Sequence, residues 1–243
     1  MARVLILGGT GEALRLAEAA VAAGHAVTTS LAGRTESPRQ PAGALRTGGF
    51  GGVEGLAAYL REEAVEALLD ATHPFAARIA ANAAEAAEQT GVPRLKLLRP
   101  AWQPLAGDAW QQVPNLEAAA AALPAGCRAL LTIGRQELAP FLEREDLGLV
   151  VRSIEPLDGL PPQVRQIQGR GPFALAEELA LLEAEAIDRL VTKNAGGKAA
   201  SAKLEAARRL RIQVVMVERP APPPGPSVAR VEAALAWLAG ISP

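Results

Sequence analysis

The chain has 243 residues, of which 49% are hydrophobic and 21% charged, and its formal net charge is −1. That length buries a real core, as one large domain or two small ones, and the composition is that of a globular chain rather than a disordered one. The near-neutral balance argues against a dedicated nucleic-acid binder; the lone Cys127 excludes an internal disulfide, and two histidines with one cysteine leave no metal site expected.

Short apolar runs alternate with alanine-rich helical windows, which predicts an α/β fold with a largely parallel sheet. In the first half, strands are expected at 3–7, 26–30, 44–47, 67–70 and 94–98, with helices at 11–23, 53–63 and 75–90. Gly24 and Gly91 stand just past two of these helices, where a left-handed residue closes the last turn. The first strand runs into Val4-Leu-Ile-Leu-Gly-Gly-Thr-Gly-Glu-Ala-Leu14, a glycine cluster between strand and helix. Small residues there let the backbone approach a pyrophosphate, and the helix start offers free N–H groups and a partial positive charge. Gly9 and Gly11 begin a G-x-G-x-x-G pattern that Leu14 leaves incomplete, so a tight turn without ligand is the competing reading.

NAD-binding sheets usually end their second strand with an acid that bonds the ribose 2′-hydroxyl. Here the strand ends Val27-Thr-Thr-Ser30 and continues Leu31-Ala-Gly-Arg34, with no carboxylate before Glu36. Ser30 and Arg34 suit a 2′-phosphate instead, which favours NADPH over NADH. An exposed loop arginine is the plainer alternative. The fourth strand leaves through Asp70-Ala-Thr-His-Pro-Phe-Ala76. Thr72 or His73 is expected to cap the next helix, with Pro74 in its first turn. Ligands of open parallel sheets bind beyond the carboxyl ends of the strands, near the reversal of strand order, so Thr72 and His73 are expected near the reacting end of a cofactor. His73 is then a polar contact or proton donor, or only a cap. His25, between helix and strand, reads as structural.

A loop with Pro100, Pro104 and Pro114 leads to a helix near 116–123, and Pro124-Ala-Gly126 closes this half. Strands follow at 128–133, 149–153, 189–192 and 213–217, with helices near 173–185 and 199–210. Two α/β halves are therefore expected, 1–125 and 126–243, with one continuous domain as the alternative. Three of the four lysines, Lys193, Lys198 and Lys203, fall in one stretch around Gly196-Gly197, whereas 21 of the 25 basic residues are arginine. Compact ammonium groups beside a strand-end glycine pair suit an anionic ligand; a solvated helix start is the alternative. Pro220-Ala-Pro-Pro-Pro-Gly-Pro226 reads as a stiff connector. The last helix, with Ser227 as its N-cap and Val228, Val231, Leu235 and Leu238 at helical spacing, is expected to pack on the second sheet.

Two chemistries lack their residues. A short-chain dehydrogenase needs Tyr-x-x-x-Lys, but Tyr59 is followed four positions on by Glu63. A phosphate-binding P-loop needs G-x-x-x-x-G-K-[ST], but Ala199 follows Gly197-Lys198 and Thr192 replaces the first glycine.

Seven segments, in order, together resemble one family, the precorrin-6A reductases and their cobalt-precorrin-6A counterparts of the corrin-ring pathway to cobalamin. They are Leu5-Ile-Leu-Gly-Gly-Thr-Gly-Glu12, Gly48-Gly-Phe-Gly-Gly52, Asp70-Ala-Thr-His-Pro-Phe-Ala76, Leu98-Arg-Pro-Ala-Trp102, Gly134-Arg-Gln-Glu-Leu138, Arg170-Gly-Pro-Phe173 and Thr192-Lys-Asn-Ala-Gly-Gly197. The chain departs at Ala195, where serine is the commoner residue, so a serine contact to substrate is missing there. The resemblance implies two Rossmann-like, doubly wound parallel-sheet halves with the active site in an inter-domain cleft. It implies a pyridine-nucleotide-dependent reduction of one double bond of a polyanionic tetrapyrrole. By this likeness Gly8, Gly9, Thr10 and Glu12 border the cofactor, Ser30 and Arg34 its 2′-phosphate, and Thr72 and His73 its reacting end. Arg170, Lys193, Asn194, Gly196, Gly197, Lys198 and Lys203 are the implied substrate-facing set.

The expected partner is thus a small-molecule tetrapyrrole, without nucleic acid or membrane and with other corrin-pathway enzymes left open. With no long apolar run and no leader-like start, a cytoplasmic location is expected. A non-catalytic NADP-binding sensor or scaffold is the rival reading, but it needs no polar cluster between Thr192 and Lys203. A small-ketone or nucleotide-sugar reductase is disfavoured, because its Tyr/Lys pair is absent.

Overall fold

The computed structural model describes residues 1–33 and 39–241. Its first five strands are β1 (Arg3–Leu7), β2 (Ala26–Leu31), β3 (Ala44–Thr47), β4 (Ala67–Asp70) and β5 (Arg94–Leu97). Between them run α1 (Gly11–Ala22), α2 (Val53–Glu62) and α3 (Ala77–Thr90). Next come β6 (Trp110–Val113), α4 (Leu116–Ala121), β7 (Arg128–Leu131), a 3-10 turn at Arg135–Glu137 and α5 (Ala139–Leu142). β8 (Gly148–Ser153), β9 (Arg165–Gln168), α6 (Leu175–Ala184), β10 (Arg189–Lys193), α7 (Ala202–Leu210) and β11 (Gln213–Val217) follow. β12 (Ser227–Val228) and α8 (Val231–Ala239) complete the order.

The strands form two six-stranded sheets, ordered β12-β5-β4-β1-β2-β3 and β6-β11-β10-β7-β8-β9. Every pairing is parallel. Both sheets therefore carry the doubly wound order 3-2-1-4-5-6 when their strands are counted from β1 and from β7, with β12 and β6 in sixth place.

Burial on both faces explains the near-continuous apolar strands. In β1, Val4 and Ile6 enter a core with Leu16, Ala17 and Leu69, while Leu5 and Leu7 enter one with Leu56, Leu60 and Ala83. Helix α3 offers alanines 80, 83, 86 and 87 to the sheet, and Gly91 closes it at φ 71°. The second sheet packs Leu130, Val150, Leu190 and Val214 against Leu182 and Leu204 of α6 and α7.

Three expectations are corrected. The chain divides into Met1–Pro100 with Pro220–Pro243, and Ala101–Arg219, instead of at 125/126. The last helix packs on the first sheet, not the second: Ala234 and Leu238 are fully buried among residues of β1, α1 and β4. Ser227 does not cap that helix, which begins after Arg230; Ser227 pairs with Lys96 in β12. The prolines before it suit this edge position, because Lys96 N donates to Pro226 O at 3.1 Å and needs no donor in return. The edge strands β6 and β9 are additional to those expected from sequence. Each is short and has exposed residues, so neither carries a strong apolar signature.

Candidate functional site

In the first unit the strand order reverses between β1 and β4, and the turns leaving these strands are tied together. Thr10 caps α1 by accepting from Ala13 N at 3.1 Å, and its hydroxyl donates to Ala71 O at 2.8 Å. Gly9 holds φ 102°, a conformation side chains disfavour, with nothing within 4 Å of an added Cβ. Gly8 is small for a different reason: a Cβ there would lie 2.8 Å from Thr29 Cγ2, so it packs the turn on β2. Glu12, in the first turn of α1, accepts from Arg99 at 2.8 Å and from Arg15 at 3.3 Å.

Beyond β4 sits a buried ionic cluster that the sequence does not single out. Lys96 Nζ donates to Asp70 Oδ2 at 2.8 Å and to Thr72 Oγ1 at 3.1 Å. Thr72 Oγ1 in turn donates to Asp70 Oδ1 at 2.7 Å. Asp70, Thr72 and Lys96 are all buried. The expected cofactor contact Thr72 thus braces the turn, its one hydroxyl proton already committed. Neither Thr72 nor His73 caps α3, because that helix starts later, after Ala76 and without a side-chain cap. Pro74 therefore falls in the preceding turn. His73 Nδ1 accepts from Phe75 N at 3.3 Å, which places the proton of the neutral ring on Nε2. The half-buried His73 is held beside the Asp70 cluster by chain connectivity. His25 is structural, its Nδ1 accepting from Ala2 N at 3.3 Å.

Ser30, buried at the end of β2, lies in register with Arg46 of β3. Arg34 lies outside the described residues.

The second unit repeats the pattern at its own reversal, between β7 and β10. Lys193, ending β10, donates to both oxygens of Glu137 at 2.8 and 2.7 Å, so its charge is offset. Asn194 holds Trp102 with both ends of its amide, accepting from Trp102 N at 2.8 Å and donating to Trp102 O at 3.0 Å. Gly197 O accepts from the Trp102 indole at 2.9 Å. Gly196 and Gly197 adopt φ 69° and 84°, the left-handed turn into α7. Lys198 and Arg170 are exposed. Lys203 is buried, donates to Thr132 Oγ1 at 2.9 Å, and lies 5.9 Å from the Trp102 ring centroid. Burial, with Arg152 and Lys193 nearby, pushes its amine down to about 7, against the opposing pull of Glu178. The seven residues of the substrate-facing set therefore divide into exposed cations, a charge-neutralised lysine, a desolvated amine and loop-shaping groups.

The precorrin-6x reductase CbiJ/CobK family model matches residues 3–239. This chain belongs to that family. A precorrin-6A reductase of Rhodococcus erythropolis is 49% identical over 98% of this chain and 98% of its own length. The Rhodobacter capsulatus precorrin-6A reductase is 46% identical over 98% and 96%. A solved CobK precorrin-6A reductase superposes with TM-score 0.95 at 45% identity, covering 100% of this chain and 98% of that one. A cobalt-precorrin-6A reductase of Priestia megaterium is 33% identical over 89% of this chain and 90% of its own. Within the precorrin-6x reductase frame, both six-stranded sheets of this chain keep parallel order. No helix of the described residues is long and apolar enough to cross a membrane.

Proposed function

We propose that this chain is an NADPH-dependent reductase that saturates one ring double bond of precorrin-6A in cobalamin biosynthesis. The observation carrying the reading is the full-length similarity to precorrin-6A reductases, which spans both sheets. The greater identity to those enzymes than to the cobalt-precorrin relative favours a ring without cobalt.

The first unit fits a dinucleotide on physical grounds. A left-handed Gly9 with open space beside it and the free N–H groups at the start of α1 suit a pyrophosphate. Gly8, Gly9 and Thr10 shape this cradle, Glu12 is its pinned rim, and Thr72 braces the far wall. Ser30 and, by its sequence position, Arg34 are proposed for the 2′-phosphate. When bound, NADPH supplies a hydride to one carbon of the reduced double bond. The neighbouring carbon takes a proton, and His73 is assigned to deliver it from Nε2 as the imidazolium, which forms when Nδ1 releases Phe75 N and takes up a hydrogen. The exposed Arg170 and Lys198 are assigned to substrate carboxylates. Lys193, Asn194, Gly196, Gly197 and Lys203 are assigned to shaping the loop behind those two cations.

The test is direct. Purified protein with NADPH and precorrin-6A should lose nicotinamide absorbance in step with substrate. Absence of oxidation with both precorrin-6A and its cobalt complex refutes the reading and leaves the non-catalytic sensor.

A further inference from the structure

Arg46, near the end of β3, is a cation without a carboxylate partner among the described residues, although the chain pairs many of its arginines with acids. Its guanidinium is held with care. Nη1 donates to Gly48 O at 2.7 Å, and Nη2 donates to Gly49 O at 2.9 Å. Nη1 also reaches Ser30 Oγ at 3.4 Å. The plane lies against Phe50, with Cζ 3.8 Å from the ring centroid, and Tyr59 stands 5.3 Å away. A guanidinium has five N–H groups in a rigid fork. These contacts use three, leaving Nε–H and one Nη2–H, the parallel pair along one edge that matches two oxygens of a phosphate.

The location gives that edge its meaning. Ser30 and Arg46 are register partners on β2 and β3, one step outward from the β1 turn. In a sheet of this order the ribose of a bound dinucleotide reaches the end of the second strand, where an acid selects NAD and a cation selects NADP. Ser30 occupies the acid's place here. We infer that Arg46, with the Ser30 hydroxyl beside it, reads the 2′-phosphate and sets the preference for NADPH. The inference rests on the proposal that the first unit holds NADPH, and it moves the main discriminating charge from Arg34 to Arg46.

A purely structural arginine would pin the Gly48–Gly49 carbonyls, and its loss would weaken both cofactors alike. Discrimination separates the two roles. Titration of the full chain with NADPH and NADH, and with 2′,5′-ADP and 5′-AMP as fragments, should show wild-type preference for the 2′-phosphorylated member of each pair. Arg46→Met should weaken NADPH and 2′,5′-ADP about 10- to 100-fold, the loss of charge-assisted bonds to a phosphate, and change NADH and 5′-AMP by less than about 3-fold. Arg46→Lys keeps charge but not the fork, and should fall between. If wild-type protein binds both nucleotides equally, the NADPH reading itself fails. If wild type prefers NADPH and Arg46→Met retains that preference, or loses both cofactors equally, the assignment to Arg46 is overturned. Should Arg46→Met not fold, an unchanged preference in Arg46→Lys overturns it as well.

Discussion

The buried amine of Lys203 makes stability depend on pH in a calculable way. Its proton affinity falls from the ordinary 10.5 to about 7 in the folded chain. Between these values the unfolded chain carries the proton and the folded chain does not, so stability rises with pH through that window. Below pH 7 both states are protonated and the whole penalty of a buried ammonium is present, about 5 kcal/mol at about 1.4 kcal/mol for each tenfold change in proton affinity. Arg152 and Lys193 oppose the charge there and Glu178 favours it, but burial dominates. Lys203→Met keeps most of the side-chain length and removes the titration. It gives up one bond to Thr132, worth about 1 kcal/mol. The variant should therefore be the more stable protein at pH 6.5, and its advantage should shrink by about 2 kcal/mol between pH 6.5 and 8.5. Urea unfolding of both proteins at pH 6.5, 7.5 and 8.5 measures this, because other titrating groups cancel in the difference. Parallel pH profiles would refute the reasoning and mean that the amine keeps its ordinary affinity.

Other outcomes follow from the same contacts. His73→Gln should lower kcat for precorrin-6A about 100-fold or more, as expected for loss of a general acid, with NADPH affinity nearly unchanged in a binding titration. Asp70→Asn leaves the Lys96 ammonium buried without its counter-charge and should cost about 3–5 kcal/mol by denaturant unfolding; Asp70→Leu with Lys96→Met should recover much of that loss. A Cβ at Gly55 would lie 1.7 Å from Phe50 O, so Gly55→Ala should displace the loop carrying Phe50, cost about 1–3 kcal/mol and lower NADPH affinity. Arg170→Ala combined with Lys198→Ala should raise KM for the tetrapyrrole about 10-fold while leaving cofactor affinity intact, as steady-state kinetics would read.

Legibility in the sequence tracks how local each determinant is. The turn after β1 is readable because strand, glycines and helix are contiguous, and Thr10 caps the adjoining helix by a bond to Ala13 N only three residues on. The cluster beyond β4 is half readable. Asp70 and Thr72 stand in a visible motif, but Lys96 joins them from 26 residues downstream. Arg46 carries no signal in the sequence for the same reason, since only strand register sets it beside Ser30. The apolar stripe of the last helix states that it packs, not on which sheet. A two-residue edge strand, β12, decides that, and two residues carry no periodicity. Among the lysines, composition draws attention to the loop but does not separate exposed Lys198 from desolvated Lys203, a difference set by Lys203 reaching Thr132 from the start of α7.

The sixth strand of the first sheet has a consequence for synthesis. On a ribosome, β1 through β5 emerge first, and the whole of Ala101–Arg219 must follow before β12 is available. The second unit is contiguous and contains all six of its strands, so it can close while the first sheet still shows the bare edge of β5. The nascent chain can thus finish its later unit before its earlier one. Truncation after β5 but before residue 227 leaves the β5 edge of the first sheet unpaired, the kind of surface that recruits another chain. A fragment of residues 101–219 should be soluble alone, whereas residues 1–125 should aggregate on expression.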